Sequence, residues 1–121
     1  MSDAVLVVED DVDVRESLML VLESEGYRTV GAANGREALD VLSGDEPVCL
    51  ILLDLMMPVM DGWEFRAAQR RDPTIAGIPV IAGSAAVLTA DLGARLHAAA
   101  YVRKPVPFDE LLGLVAQYCA R

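Results

Sequence analysis

Basic residues are scarce in this chain of 121 residues, and that scarcity narrows the partners it can bind. Ten Lys and Arg stand against nineteen Asp and Glu, which gives a net charge of −9 and a pI near 4.4. Binding of nucleic acid needs clustered Lys and Arg to neutralise phosphates, so we expect no direct nucleic acid binding. A divalent cation or a basic protein suits this charge better.

Long apolar runs are also missing. No stretch approaches the ~20 apolar residues that a membrane-spanning helix requires. Residues 1–4, Met-Ser-Asp-Ala, lack the basic start and the apolar run of a signal peptide. We therefore expect a cytoplasmic location and no membrane partner. The same start looks like a native N-terminus, which favours a stand-alone domain or one excised from the N-terminus of a longer protein.

Cysteine and lysine are both rare. The two cysteines, Cys49 and Cys119, are far apart in the sequence and fit neither a metal-ligand pair nor a disulfide framework. We expect them to be buried free thiols in a reducing cytoplasm. Lys104 is the only lysine in the chain.

What the chain does contain is a regular alternation of apolar runs and amphipathic stretches. Short apolar runs bounded by turn residues predict buried strands; they lie at residues 4–8, 27–33, 48–53, 78–83 and 101–103. Apolar residues at helical spacing predict helices; they lie at residues 14–25, after Asn34-Gly35, at 62–71, around 90–97, and at 108–120. Asp13 is predicted to cap the first helix.

This alternation predicts an α/β fold with a five-stranded parallel sheet and five helices on its two faces. For a single domain of residues 1–121, the doubly wound, flavodoxin-like strand order 2-1-3-4-5 fits best. In such a fold, ligands bind beyond the carboxyl ends of strands 1 and 3, where the strand order reverses. The side chains that follow these two strands are therefore the first candidates for a site.

Carboxylates follow both strands. Glu9, Asp10 and Asp11 come directly after strand 1, and Asp54 ends the apolar run of strand 3. A carboxylate at the end of a buried strand is costly unless it is paired, bound to metal or used in chemistry. Several carboxylates at one sheet edge repel one another unless a cation lies among them. Hard oxygen ligands in a site open to water favour Mg²⁺ over Ca²⁺ or zinc.

The ends of strands 4 and 5 add a hydroxyl group, Ser84, and the sole ammonium group, Lys104, which is followed by Pro105. Carboxylates, a divalent metal, a hydroxyl and a lysine together describe a phosphoryl-binding site with a carboxylate nucleophile, Asp54. Taken singly, Ser84 could be a loop hydroxyl and Lys104 a surface charge. Their joint placement at the ends of neighbouring strands favours the phosphoryl site.

These residues lie in motifs that resemble the receiver domains of the two-component response regulator family. The resemblance covers nearly the whole chain. Its marks are Val7-Val8-Glu9-Asp10-Asp11, Leu53-Asp54-Leu55-Met56-Met57-Pro58, Met60-Asp61-Gly62, Ile78-Pro79-Val80-Ile81 before Ser84-Ala85, and Tyr101-Val102-Arg103-Lys104-Pro105. The resemblance implies a phosphorelay switch, not an enzyme acting on a separate substrate, that promotes its own phosphorylation and dephosphorylation and binds an effector protein in one state.

The resemblance also assigns the site. Asp54 would accept a phosphoryl group from a histidine kinase or a histidine phosphotransfer protein. Mg²⁺ would be bound by Asp10, Asp54 and the backbone carbonyl of Met56, with Glu9 acting through water. Lys104 would pair with the phosphoryl group.

A second group of residues would transmit or tune the phosphorylated state. Ser84 would move to hydrogen-bond the phosphoryl group, and the rotamer of Tyr101 would follow it. The bond before Pro105 would be cis. Met56 and Ala86 would tune hydrolysis, and neither side chain can orient a water molecule by hydrogen bonding.

The chain departs from the family pattern just before Tyr101. A Gly-Ala pair is usual there, whereas this chain has His97 and Ala98.

Two other functions remain as alternatives. One is an Mg²⁺-dependent phosphohydrolase with an Asp nucleophile, which would usually carry a general acid where Met56 stands. The other is a pseudo-receiver that binds a partner without phosphate, although it would not need Asp54 and Lys104.

Overall fold

Five parallel strands form one sheet in the computed structural model of the chain, in the order β2-β1-β3-β4-β5. The structure describes residues 3–85, 94 and 96–120. The strands are β1 (Ala4–Val8), β2 (Arg28–Ala32), β3 (Val48–Asp54), β4 (Val80–Ser84) and β5 (Ala100–Arg103). The helices within the described residues are α1 (Val12–Ser24), α2 (Gly35–Leu42), α3 (Gly62–Arg71) and α4 (Phe108–Tyr118). The predicted fold class and strand order are confirmed.

The helix predicted around residues 90–97 lies mostly outside the described residues, although His97 is described and occupies a turn. The other predicted bounds differ from the observed ones by at most two residues. One cap is wrong: Asp11, and not Asp13, caps α1 by accepting a hydrogen bond of 3.1 Å from the Val14 N–H. Asp11 can do so because its backbone is extended, and Asp13 is already inside the first turn.

Each face of the sheet carries its own apolar core, because side chains alternate along the central strand β3. Leu53 faces α2 and α3 and belongs to the same buried cluster as Phe65. Leu52 faces the other way and clusters with Leu22 of α1 and Val115 of α4. Among the described residues, the helices are too short or too polar to cross a membrane.

The two cysteines form a disulfide, so the expectation of free thiols is wrong. Cys49 near the start of β3 and Cys119 just after α4 have Cα atoms 5.6 Å apart and are separated by 70 positions in sequence. The bond joins the amino end of the central strand to the carboxyl end of the last helix. It therefore lies at the edge of the sheet opposite the predicted site.

An irregularity in β3 explains this pairing. Ala4 of β1 pairs with Val48, but the next residue, Val5, pairs with Leu50, so Cys49 is left out of the ladder. The extra residue reverses the alternation of side chains, as a β-bulge does. Cys49 consequently packs on the same face as Leu50, where the end of α4 lies.

Candidate functional site

Three carboxylates meet at the carboxyl ends of β1 and β3. Oxygen atoms of Glu9, Asp10 and Asp54 all lie within 4.8 Å of one another. Asp10 is exposed, whereas Glu9 and Asp54 are 4% and 8% exposed. The cluster forms because β1 and β3 are paired in parallel, which places the two strand ends side by side. Oxygen ligands that are partly open to water fit the coordination that Mg²⁺ prefers.

Lys104, at the end of β5, reaches into this cluster. Its Nζ lies 2.7 Å from Oε1 of Glu9 and 3.2 Å from Oδ1 of Asp54. The Lys104 backbone N–H donates to the Ser84 carbonyl at 2.9 Å, which continues the pairing of β5 with β4. The peptide bond between Lys104 and Pro105 is cis. One ammonium group thus bridges two of the three carboxylates.

Burial and charge act against each other in this group of side chains. Burial raises the pKa of the Glu9 carboxyl, and its hydrogen bond with Asp54 raises it further, while Lys104 pulls it down. Burial alone would lower the pKa of the Lys104 ammonium. The hydrogen bond to Glu9 and the charges of Asp54 and Glu9 outweigh burial, so the pKa of Lys104 is raised. Titratable groups whose pKa values are shifted by burial and by specific charged neighbours are typical of functional sites.

The loop after β3 wraps closely around Asp54. The Met56 N–H donates to Oδ1 of Asp54 at 3.2 Å, while the Met56 side chain is 71% exposed. At the start of α3, a Cβ on Gly62 would lie 2.7 Å from the Asp54 carbonyl oxygen, so only glycine allows the helix to begin this close. Asp61 and Glu64 complete a capping box that fixes the same helix start.

Ser84 lies at the same carboxyl edge of the sheet, whereas Tyr101 lies near the start of β5. Ser84 ends β4 and is buried, and the register pairs it with Arg103 of β5. Tyr101 is 41% exposed, and its hydroxyl accepts a hydrogen bond of 3.2 Å from the Ala98 N–H. The structure thus places Ser84 at the strand end next to Asp54. Ala86 lies outside the described residues.

Sequence reasoning missed Arg15 on α1. Its guanidinium donates to the backbone carbonyl of Glu9 at 2.8 Å and so fixes the chain where β1 ends. The sequence carries no signal for this contact, because its acceptor is a backbone carbonyl and not a side chain. The Glu9–Lys104 ion pair was also not foreseen, because the two residues are 95 positions apart.

Comparison with known proteins identifies the class to which this fold and site belong. The family model for the response regulator receiver domain matches residues 5–116. A 14.6 kDa protein of Leptolyngbya boryana is 40% identical over 117 residues, which cover 95% of this chain and 88% of that protein. The response regulator Rre1 of Synechocystis is 36% identical over 121 residues, which cover 98% of this chain and 52% of Rre1.

Solved structures agree. Chemotaxis protein CheY4 of Vibrio cholerae superposes with a TM-score of 0.88 at 28% identity, covering 98% of this chain and 99% of that one. Response regulator TrrA of Thermotoga maritima, solved in complex with Mg²⁺-BeF, superposes with a TM-score of 0.81 at 33% identity, covering 95% and 97%. The chain belongs to the response regulator receiver family of two-component systems, whose members bind Mg²⁺ at an acidic pocket. It spans about half the length of Rre1.

Proposed function

We propose that this chain is a phosphorylation-dependent switch in which Asp54 accepts a phosphoryl group from a histidine kinase or a histidine phosphotransfer protein. The whole of residues 1–121 would act as one receiver domain. The observation that carries the proposal is the position of Asp54, whose Oδ1 lies 3.2 Å from the Lys104 ammonium and whose carboxylate is clustered with those of Glu9 and Asp10.

The transfer needs little from the protein beyond position and charge. A carboxylate oxygen of Asp54 forms the new O–P bond, and the electron pair of the breaking P–N bond returns to the imidazole of the donor. Lys104, 3.2 Å from Oδ1 of Asp54, is within reach of the oxygens of a phosphoryl group on that carboxylate. The Ser84 hydroxyl would donate a hydrogen bond to the same group, and the Tyr101 rotamer would follow Ser84.

The clustered carboxylates at the ends of β1 and β3 fit a magnesium site. Asp10, Asp54 and the Met56 backbone carbonyl would hold Mg²⁺ directly, and Glu9 would hold it through water. When bound, Mg²⁺ supplies positive charge to the phosphoryl oxygens. Asp10 is the exposed member of the carboxylate cluster, which leaves the site open to a hydrated ion.

The surface around Asp54 suits docking of a protein donor. Val14 of α1 and Phe108 of α4 are 40% and 46% exposed and line a groove of about 580 Å³ together with Asp54 and Lys104. Val12 is a further exposed apolar side chain, at the start of α1. Exposed apolar side chains clustered beside polar ones are typical of protein interaction sites. The downstream effector protein would bind in only one of the two phosphorylation states.

Intact mass spectrometry after incubation with Mg²⁺ and acetyl phosphate tests the proposal. We expect one added phosphoryl group on the wild type and on Asp40→Ala, a control that removes an exposed carboxylate of α2, and none on Asp54→Ala. The gain should vanish when Mg²⁺ is chelated. Steady release of phosphate from phosphate esters would instead support the hydrolase, and no added mass on the wild type would support a pseudo-receiver.

A further inference from the structure

A buried arginine on α3 joins that helix to the backbone that enters β5. Arg66 is 7% exposed. Its Nε donates to the Leu96 carbonyl and its Nη2 to the His97 carbonyl, both at 2.7 Å. Its Nη1 donates to Oε1 of Gln69, also at 2.7 Å. All three nitrogens of the guanidinium are therefore committed to neighbouring oxygens.

Gln69, one turn after Arg66 on α3, binds the segment that precedes β4. It is fully buried, and its Nε2 donates to the carbonyls of Ile75 and Ile78 at 2.9 and 3.1 Å. Both carbonyls lie in the segment that leads into β4. Two side chains on one face of α3 thus hold the backbone that leads into β4 and the backbone that leads into β5.

The backbone that Arg66 holds has an unfavourable conformation. His97 has φ 50°, a left-handed geometry that residues with a Cβ adopt at a cost. The Ala98 N–H, one residue later, donates to the Tyr101 hydroxyl, and the Ala99 N–H donates to the Val80 carbonyl at 2.8 Å. The turn therefore contacts Tyr101 directly, through the hydroxyl of its side chain.

Packing alone gives no reason for an arginine at this position. Burial lowers the pKa of Arg66 and the charge of Arg70 lowers it further, while Tyr101 raises it, so on balance the site disfavours the charged form. An apolar side chain of similar volume would avoid that cost. What an apolar residue cannot do is bind two successive carbonyl groups and fix the turn they belong to.

We propose that Arg66 is a positioning residue that couples the loop after Asp54 to Tyr101, because it holds the turn at Leu96 and His97 in place. The rigid link is α3 itself, whose first residue, Gly62, packs against the Asp54 carbonyl. Helix α3 carries Arg66 one turn later. The inference rests on the proposed function, since it assigns to Arg66 the coupling between Asp54 and Tyr101.

Hydrogen–deuterium exchange of the full chain, with and without Mg²⁺ and beryllofluoride, tests this role. The variants are Arg66→Met, which keeps approximate volume but has no donor; Arg66→Lys, which keeps the charge but offers one nitrogen in place of three; and Arg70→Met, an exposed control on the same helix. Without ligand, we expect exchange at residues 96–101 to be about tenfold faster in Arg66→Met than in the wild type. Arg66→Lys should be intermediate and Arg70→Met unchanged.

The decisive readout is the response to beryllofluoride. In the wild type and Arg70→Met, its binding should alter exchange both around Asp54 and at residues 96–103. In Arg66→Met, the change around Asp54 should persist while the change at residues 96–103 is lost, a separation that a purely structural role would not produce. Wild-type exchange at residues 96–101 in Arg66→Met, or an undiminished response there, would overturn the proposal. If Arg66→Met does not fold, the same two criteria are applied to Arg66→Lys.

Failure of the proposed function would look different. The wild type itself would then show no response to Mg²⁺ and beryllofluoride around Asp54. The comparison without ligand would still decide whether Arg66 holds the turn.

Discussion

The two edges of the sheet are held in different ways. At the carboxyl edge, Glu9 and Asp54 meet Lys104 through an ion-paired cluster that is partly open to solvent. At the amino edge, the disulfide between Cys49 and Cys119 fixes the last helix to the central strand. Ionic contacts can be exchanged for contacts with a metal or a phosphoryl group, whereas a covalent link cannot be exchanged in this way. The difference suggests that stability and switching are located at opposite edges.

Removal of the disulfide should give the largest change in stability and none in function. The bond closes a loop of 70 sequence positions, and restricting such a loop in the unfolded chain contributes about 4 kcal/mol. We expect Cys49→Ala/Cys119→Ala to lose about that much free energy of unfolding in urea titrations. Phosphorylation of Asp54 by acetyl phosphate should be retained.

A reductant provides the control for this experiment. It should destabilise the wild type to the level of the double variant and leave the double variant unchanged. If the double variant loses phosphorylation while it remains folded, the two edges of the sheet are coupled and do not act independently.

Removal of the bridging ammonium is expected to have the next largest effect. Lys104→Met leaves the buried Glu9 without its cation, and we expect a loss of about 2 kcal/mol in the free energy of unfolding. The Lys104 side chain is 30% exposed, so the loss should be smaller than for a fully buried pair. Mg²⁺ should recover part of it, because a cation that binds only the folded state stabilises that state.

Arg103→Met is the matched control, since Arg103 is adjacent, basic and exposed. Urea titrations of both variants with and without Mg²⁺ measure the difference. An equal loss in the two variants would mean that the ion pairs of Lys104 contribute nothing beyond net charge.

Hydrolysis of the phosphoryl group should respond to the side chain beside Asp54. Met56 is hydrogen-bonded to Asp54 through its backbone N–H, and its exposed side chain has no group that can orient water by hydrogen bonding. Met56→Asn should speed dephosphorylation about tenfold, equivalent to ~1.4 kcal/mol of barrier. The decay of phosphorylated mass after removal of the donor measures the rate.

The control is Val59→Thr, which adds a polar group at another exposed residue of the same loop and keeps the β-branched shape; it should leave this rate unchanged. A short phosphate lifetime in the wild type, unaltered by Met56→Asn, would contradict the assignment. Ala86, the other position to which the resemblance assigns a role in hydrolysis, lies outside the described residues.

The carboxyl edge was predictable because its signals are local. A carboxylate that ends an apolar strand indicates a site wherever the sheet places it, and parallel strands end at a common edge. Asp54 and Lys104 could therefore be brought together from the sequence alone. The strand order followed from the same alternation of strands and helices.

The amino edge and the Arg66 contacts depend on details that local patterns do not contain. Strict alternation along β3 would direct Cys49 away from Cys119, and only the bulge reverses it. Arg66 shares α3 with two further arginines, Arg70 and Arg71, and the sequence alone does not distinguish the buried one from the others. The turn that Arg66 binds begins 30 residues later, which no local pattern could indicate.

The start of α1 offers the smallest and most specific test of the carboxyl edge. Asp11 and Asp13 carry the same charge two residues apart, but only Asp11 accepts the Val14 N–H. Asp11→Ala should lower the free energy of unfolding by about 1 kcal/mol, the usual contribution of an N-cap. Asp13→Ala should cost only about 0.3 kcal/mol through the helix dipole. Because each change removes one negative charge near the acidic cluster, their difference in urea titrations isolates the cap, and an equal or reversed order would place the start of the helix at Asp13.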